Sequence, residues 1–109
     1  MSIPRNLSAF AANLGALNYV TKSTTYAASA DDYIFADTST AAFTITLPST
    51  PSAGDTLYVV DATGSFETNN LTLGRNGNTI MGLAEDMLLD INYLEYKIVY
   101  SGDDWKVMK

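Results

Sequence analysis

Polar and apolar positions along this chain follow two periods. Near the start, Leu7, Phe10, Ala11 and Leu14 fall at i, i+3, i+4 and i+7, one stripe of a helix. Asn6 suits the cap, because its side-chain oxygen can accept from the free amides of a first turn. Gly15 suits the left-handed position just past a helix end. The spacing predicts a short helix over Leu7–Leu14, preceded by an arm, Met1–Arg5, that Pro4 holds extended. A helix this short is not stable alone, since nucleating the first turn is costly. Its apolar stripe must dock, either on one end of its own β domain or on a neighbouring subunit or another protein.

From Tyr19 onward the period becomes two. Phe43, Ile45 and Leu47 are predicted to face inward, with Thr44 and Thr46 outward. Thr56–Asp61 is apolar on both faces and predicts a central strand. Leu94, Tyr96, Ile98 and Tyr100 share a face, and Trp105–Val107 is expected to pair back on them across the Ser101–Asp104 turn. Shorter strands are predicted at Tyr26–Ala28, Tyr33–Ala36, Leu71–Leu73, Thr79–Met81 and Met87–Leu89. The prolines and glycine of Pro48–Asp55 make a loop, Ala62–Asn70 is a polar loop, and Asn76-Gly77 tolerates the positive φ of a tight turn. Short strands at this spacing predict an all-β single domain, a β-sandwich or jelly-roll-like fold with an N-terminal extended arm and short helix. Residues 1–18 form the arm and helix, and residues 19–109 the β-sandwich domain.

Composition narrows the chemistry. The chain has no His and no Cys among its 109 residues. Catalytic triads that use His, His-liganded metals, disulfides and thiolate nucleophiles are therefore excluded. The net charge of −6 argues against nucleic acid, which needs clustered Lys and Arg, and against an anionic membrane surface. No stretch is long and apolar enough to span a bilayer. Charged residues make up only 17%, below the roughly 25% usual for a soluble domain. That shortage fits either a Thr-rich β surface or a surface partly buried in an assembly.

The remaining candidates for chemistry read as structure. The acidic groups Asp31/Asp32/Asp37, Glu85/Asp86/Asp90 and Asp103/Asp104 fall in turns, where Asp bonds to local backbone amides. An incidental ion at Asp31/Asp32/Asp37 is the only metal alternative, and no EF-hand pattern is present. Gly74–Gly77 lacks the spacing of a phosphate-binding loop. Tyr96, Tyr100 and Phe43 alternate as core residues, and Trp105 is the best aromatic candidate for exposure, although packing on Ile98 or Tyr100 is the expected outcome. No catalytic, cofactor or metal constellation remains.

Several segments carry a resemblance. Thr44-Ile45-Thr46-Leu47-Pro48, Pro51-Ser52-Ala53-Gly54-Asp55, Asn69-Asn70-Leu71, Gly77-Asn78-Thr79-Ile80 and the closing Tyr100–Trp105 hairpin together resemble a β module of tailed-bacteriophage virion proteins, found in tail fibres and small capsid-decoration proteins. The match runs over about Ala42–Val107, and Met1–Ser8 resembles the start of many phage virion proteins. The chain departs from fibres in lacking a repetitive shaft. The resemblance implies a non-enzymatic virion structural protein, a capsid decoration (cement) protein that forms a homotrimer and clamps the major capsid protein at the capsid surface. It implies no catalytic residue and no cofactor. Ile3, Pro4, Leu7, Phe10 and Leu14 are the expected partner-binding residues, with an edge strand as a second candidate. The alternative is a tail-fibre or baseplate component that contacts other tail proteins or binds host glycans through loops such as Thr63–Asn70.

Overall fold

A computed structural model describes residues 17–109. The expected arm and short helix, with Ile3, Pro4, Leu7, Phe10 and Leu14, lie outside them. The described residues are all-β, with no helix. The strands are β1 (Asn18–Lys22), β2 (Tyr26–Ala27), β3 (Asp32–Ala36), β4 (Phe43–Thr46), β5 (Thr56–Asp61), β6 (Leu71–Gly74), β7 (Met87–Leu89), β8 (Glu95–Tyr100) and β9 (Trp105–Met108).

They form two mixed sheets, one in the order β1-β3-β5-β8-β9 and the other β2-β4-β6-β7. Successive strands from β1 to β6 alternate between the sheets. Each connection therefore carries the chain to the other sheet, and the next one brings it back running the same way. Strands of one sheet consequently stack in parallel: β1 on β3, β3 on β5, β2 on β4 and β4 on β6. The last strands turn back antiparallel, β7 on β6, β8 on β5 and β9 on β8. Jelly rolls are built antiparallel, so the four parallel pairings depart from that expectation.

The period of two holds along the strands. Ile34, Leu57, Val59, Tyr96 and Ile98 point inward from the larger sheet, and Ile45, Leu71, Leu73 and Leu89 from the smaller one. With Phe66, Ile80 and Trp105 they make a single hydrophobic core, so the described residues form one domain. Phe43, Ile45 and Leu47 are buried as the alternation predicts. β5 has a neighbour on each side, as expected of a central strand, and turns Tyr58 and Val60 outward.

Thr79–Met81 does not form the predicted strand. Met81 and Gly82 both take positive φ (51° and 81°), so the chain reverses at once, and Ile80 and Leu83 exchange both backbone hydrogen bonds. Ile80 still bridges to Trp105. Asn76-Gly77 does take the positive φ that its residue types favour.

Because β5 and β8 lie inside the larger sheet while β1 and β2 are edges, amide exchange should be slowest in β5 and β8 and faster in β1 and β2. Hydrogen exchange read by mass spectrometry or NMR tests this. Equal protection of β1 and β5 would contradict the strand order.

Candidate interaction surfaces

The acidic residues hold turns. Asp61, at the end of β5, is buried yet ionised. Its Oδ1 accepts the N–H groups of Thr63, Gly64 and Ser65, and its Oδ2 those of Phe66 and Tyr93, at 3.0–3.2 Å. Burial alone pushes its pKa up, but the backbone donors outweigh burial and hold it below the usual carboxylate value. Asp104 accepts from Lys106 Nζ (2.8 Å), Thr79 Oγ1 (2.6 Å) and Gly82 N (3.1 Å). The Lys106 ammonium foremost, and then the Thr79 hydroxyl, lower its pKa to about 2. Asp32 is buried and accepts from Asn18 Nδ2, Tyr26 OH and Ser29 N, tying β1, β2 and the turn between β2 and β3 together. Asp37 and Asp86 accept backbone N–H groups from Ser39 and Arg75.

Each of these carboxylates thus serves a different stretch of backbone. The residues Asp31, Asp32 and Asp37 do not converge, and no group of three metal-ligating side chains is assembled among the described residues. Turn composition marked most of these acids in advance. Asp61 was hidden inside an apolar strand, and its only sequence signal is the Thr-Gly-Ser that follows at Thr63–Ser65.

The Thr63–Asn70 loop directs much of its hydrogen bonding inward. Asn69 Nδ2 donates to Thr38 O (2.9 Å) and Asn70 Nδ2 to Phe66 O (2.6 Å), while Phe66 plugs the core. Asn92 Oδ1 accepts from Glu67 N (2.8 Å). Tyr93 takes a left-handed φ of 62° to deliver its N–H to Asp61, and its exposed ring lies over Gly64. A Cβ at Gly64 would collide with that ring.

An open apolar cavity of about 320 Å³ lies beside β7, between Ile80, Met81, Leu83 and Met87, with Glu85 and Asp86 at its lining. Met81, Leu83 and Leu88 are exposed around it.

The two outer sheet faces differ in chemistry. On the smaller sheet, Thr44 lies beside Thr72, which lies beside Leu88, and Thr46, on the same face, sits between Ala27 and Gly74. On the larger sheet, Tyr19, Tyr33 and Tyr58 stand in register on β1, β3 and β5, followed by Lys97 on β8. The Tyr19–Tyr33 and Tyr33–Tyr58 ring centroids are 5.2 and 5.4 Å apart. A second row runs Phe35, Val60, Glu95, and the Phe35 ring lies 5.2 Å from Tyr33. Tyr33 OH donates to Glu95 Oε2, and the bond to this carboxylate, which favours the protonated phenol, pushes the Tyr33 pKa up to about 12. Tyr19 is 64% exposed and Phe35 36%.

The aromatics singled out from sequence are elsewhere. Tyr96, Tyr100 and Phe43 are in the core, and Trp105 is fully buried with its ring 5.1 Å from Tyr100. The outer aromatic row was not identifiable from the chain alone. Tyr33 and Phe35 alternate with buried Ile34 and Ala36, so both faces of β3 are apolar, and only the parallel register aligns Tyr19, Tyr33 and Tyr58.

No family model matches this chain, and no curated protein matches it.

Asp61 and Asp104 bind protons more weakly folded than unfolded. The stabilisation from both is present above the ordinary value of 3.8 and declines as pH falls below it, that from Asp104 being lost toward about 2. Denaturant melts should therefore show stability declining across that window. Asp61→Asn turns an amide NH₂ toward backbone donors, and should cost roughly 2–3 kcal/mol while flattening the decline. Undiminished stability in Asp61→Asn would contradict the role given to Asp61. Trp105, the one Trp, should emit as a buried indole and resist iodide quenching until the protein unfolds.

Proposed function

We propose that this chain is a non-enzymatic structural subunit of a tailed-bacteriophage virion, a capsid decoration (cement) protein. On this reading it assembles as a homotrimer at the capsid surface and clamps neighbouring major capsid subunits. Its two sheets are taken as the halves of a β-sandwich module carrying an N-terminal arm and short helix. The observation that carries the reading is the inequality of the outer sheet faces: threonine on one, aromatic rings on the other. A lone secreted or cytoplasmic domain gains nothing from an aromatic outer face, whereas a subunit covers it. The segments that resemble phage virion modules give the class of assembly. The buried carboxylates are engaged with backbone amides, which supports a structural rather than a hydrolytic use of the acids.

Clamping follows from multivalency. A trimer touching several capsid subunits makes contacts that must break together, so weak individual contacts act at high effective concentration. The arm residues Ile3, Pro4, Leu7, Phe10 and Leu14 are the proposed docking element. The competing assignment, a tail-fibre or baseplate component that binds host glycans, predicts a few copies per particle rather than hundreds. The inward hydrogen bonding of the Thr63–Asn70 loop favours the capsid reading.

Deleting Met1–Gly15 should leave a folded β trimer that no longer binds capsids in a co-sedimentation assay. Retained capsid binding would remove the arm from the mechanism.

A further inference from the structure

We infer that the aromatic outer face of the five-stranded sheet is the surface through which copies of this chain associate, the Tyr19–Tyr33–Tyr58 and Phe35–Val60 rows of one copy packing against a second copy. The inference rests on the homotrimer reading and names the contact that would make it.

The face has the composition of an interface core. Aromatic rings bring large apolar area at a small cost in side-chain entropy, and they are enriched where protein surfaces meet. Here they are contiguous. Tyr19 touches Tyr33, and Tyr33 touches both Phe35 and Tyr58. These rings already brace one another, and Glu95 holds the Tyr33 hydroxyl, so little order remains to be imposed on binding. The opposite face carries no aromatic ring: it presents Thr44, Thr46 and Thr72, with Leu88 at its β7 side.

Charge selects a second copy as the occupant. The chain carries 12 acidic residues and a net charge of −6, so two copies repel through most of their surface. Of the side chains that the larger sheet turns outward, Glu95 is the single acid, and it is flanked by Lys97 two residues along the same strand. Lys106 on β9 is already paired with Asp104 at 2.8 Å. On the aromatic face Glu95 and Lys97 offset each other, so the net negative charge of the chain does not oppose a second copy there. The face also offers both signs, so Lys97 of one copy can meet Glu95 of the next. A strongly basic partner would find a more favourable landing almost anywhere else on this chain.

The test uses the full chain and light scattering coupled to size exclusion. Wild type should elute as three chains. Phe35→Glu and Tyr58→Glu each place a carboxylate among the rings and should give monomers, with Trp105 emission unchanged as the sign of an intact core. Thr72→Glu, on the opposite face, should remain a trimer. Lys97→Glu is exposed and leaves the rings in place, so it tests the contact even if the aromatic variants misfold. It should weaken association by roughly tenfold or more, and Glu95→Lys added to it should recover part of the loss, the remainder reflecting the Tyr33 hydroxyl that Glu95 no longer holds. A trimeric wild type whose Phe35→Glu, Tyr58→Glu and Lys97→Glu forms all stay trimeric overturns the assignment of this face and leaves the trimer standing. A monomeric wild type overturns the trimer reading and this inference with it.

Discussion

A single buried carboxylate organises the passage of the chain out of β5 and its return into β8. Asp61 ends β5, and five backbone N–H groups converge on it from the Thr63–Phe66 loop and from Tyr93. Without it, those amides would be left unpaired in a crossing that also inserts Phe66 into the core. The same carboxylate joins the segment leaving β5 to the segment entering β8, which are 32 residues apart at Asp61 and Tyr93. The left-handed conformation of Tyr93 is the strain accepted to complete that set of bonds. Asp32 and Asp104 repeat the device on a smaller scale, the first where the chain returns to β3 and the second where the Thr79–Gly82 turn meets β9.

This explains how a chain with neither disulfide nor metal-binding Cys or His holds irregular connections. Parallel stacking requires a crossover between every pair of neighbouring strands, and crossovers expose backbone. Helices usually supply them. Here the connections from β1 to β6 contain no helix, and the buried acids supply part of the hydrogen bonding that a helix would have satisfied internally. The arrangement also sets the surface. Parallel strands in register place like positions of successive strands side by side, so one aromatic position in each of β1, β3 and β5 becomes a continuous row. The same geometry on the smaller sheet aligns Thr44 with Thr72. Winding turns local alternation into two chemically distinct faces, and the proposed association of copies depends on that difference.

Much of this was legible from the chain. Alternation of Phe43, Ile45 and Leu47 with threonine identified a half-buried strand, and the Leu94–Tyr100 pattern with its Ser101–Asp104 turn identified the closing hairpin. These signals are local, since inward and outward positions differ by one residue and a tight turn by its own φ angles. Thr79–Met81 misled because three residues of strand-like composition precede Gly82, and the reversal there depends on Asp104, 22 residues away. The aromatic face was illegible because β3 is apolar on both sides, and a strand does not state which of its faces is outside.

The sequence by itself determined the class, all-β, the main turns, and the absence of His and Cys chemistry, because period, turn residues and composition are properties of neighbours along the chain. Only the tertiary structure decided that strands alternate between sheets and stack in parallel, that Asp61 is a buried acceptor for five amides, and that Tyr19, Tyr33 and Tyr58 form one surface. Each of those is a relation between residues far apart in sequence. Pairing energies differ little between parallel and antiparallel strands, so the choice rests with how the whole core closes rather than with any one segment.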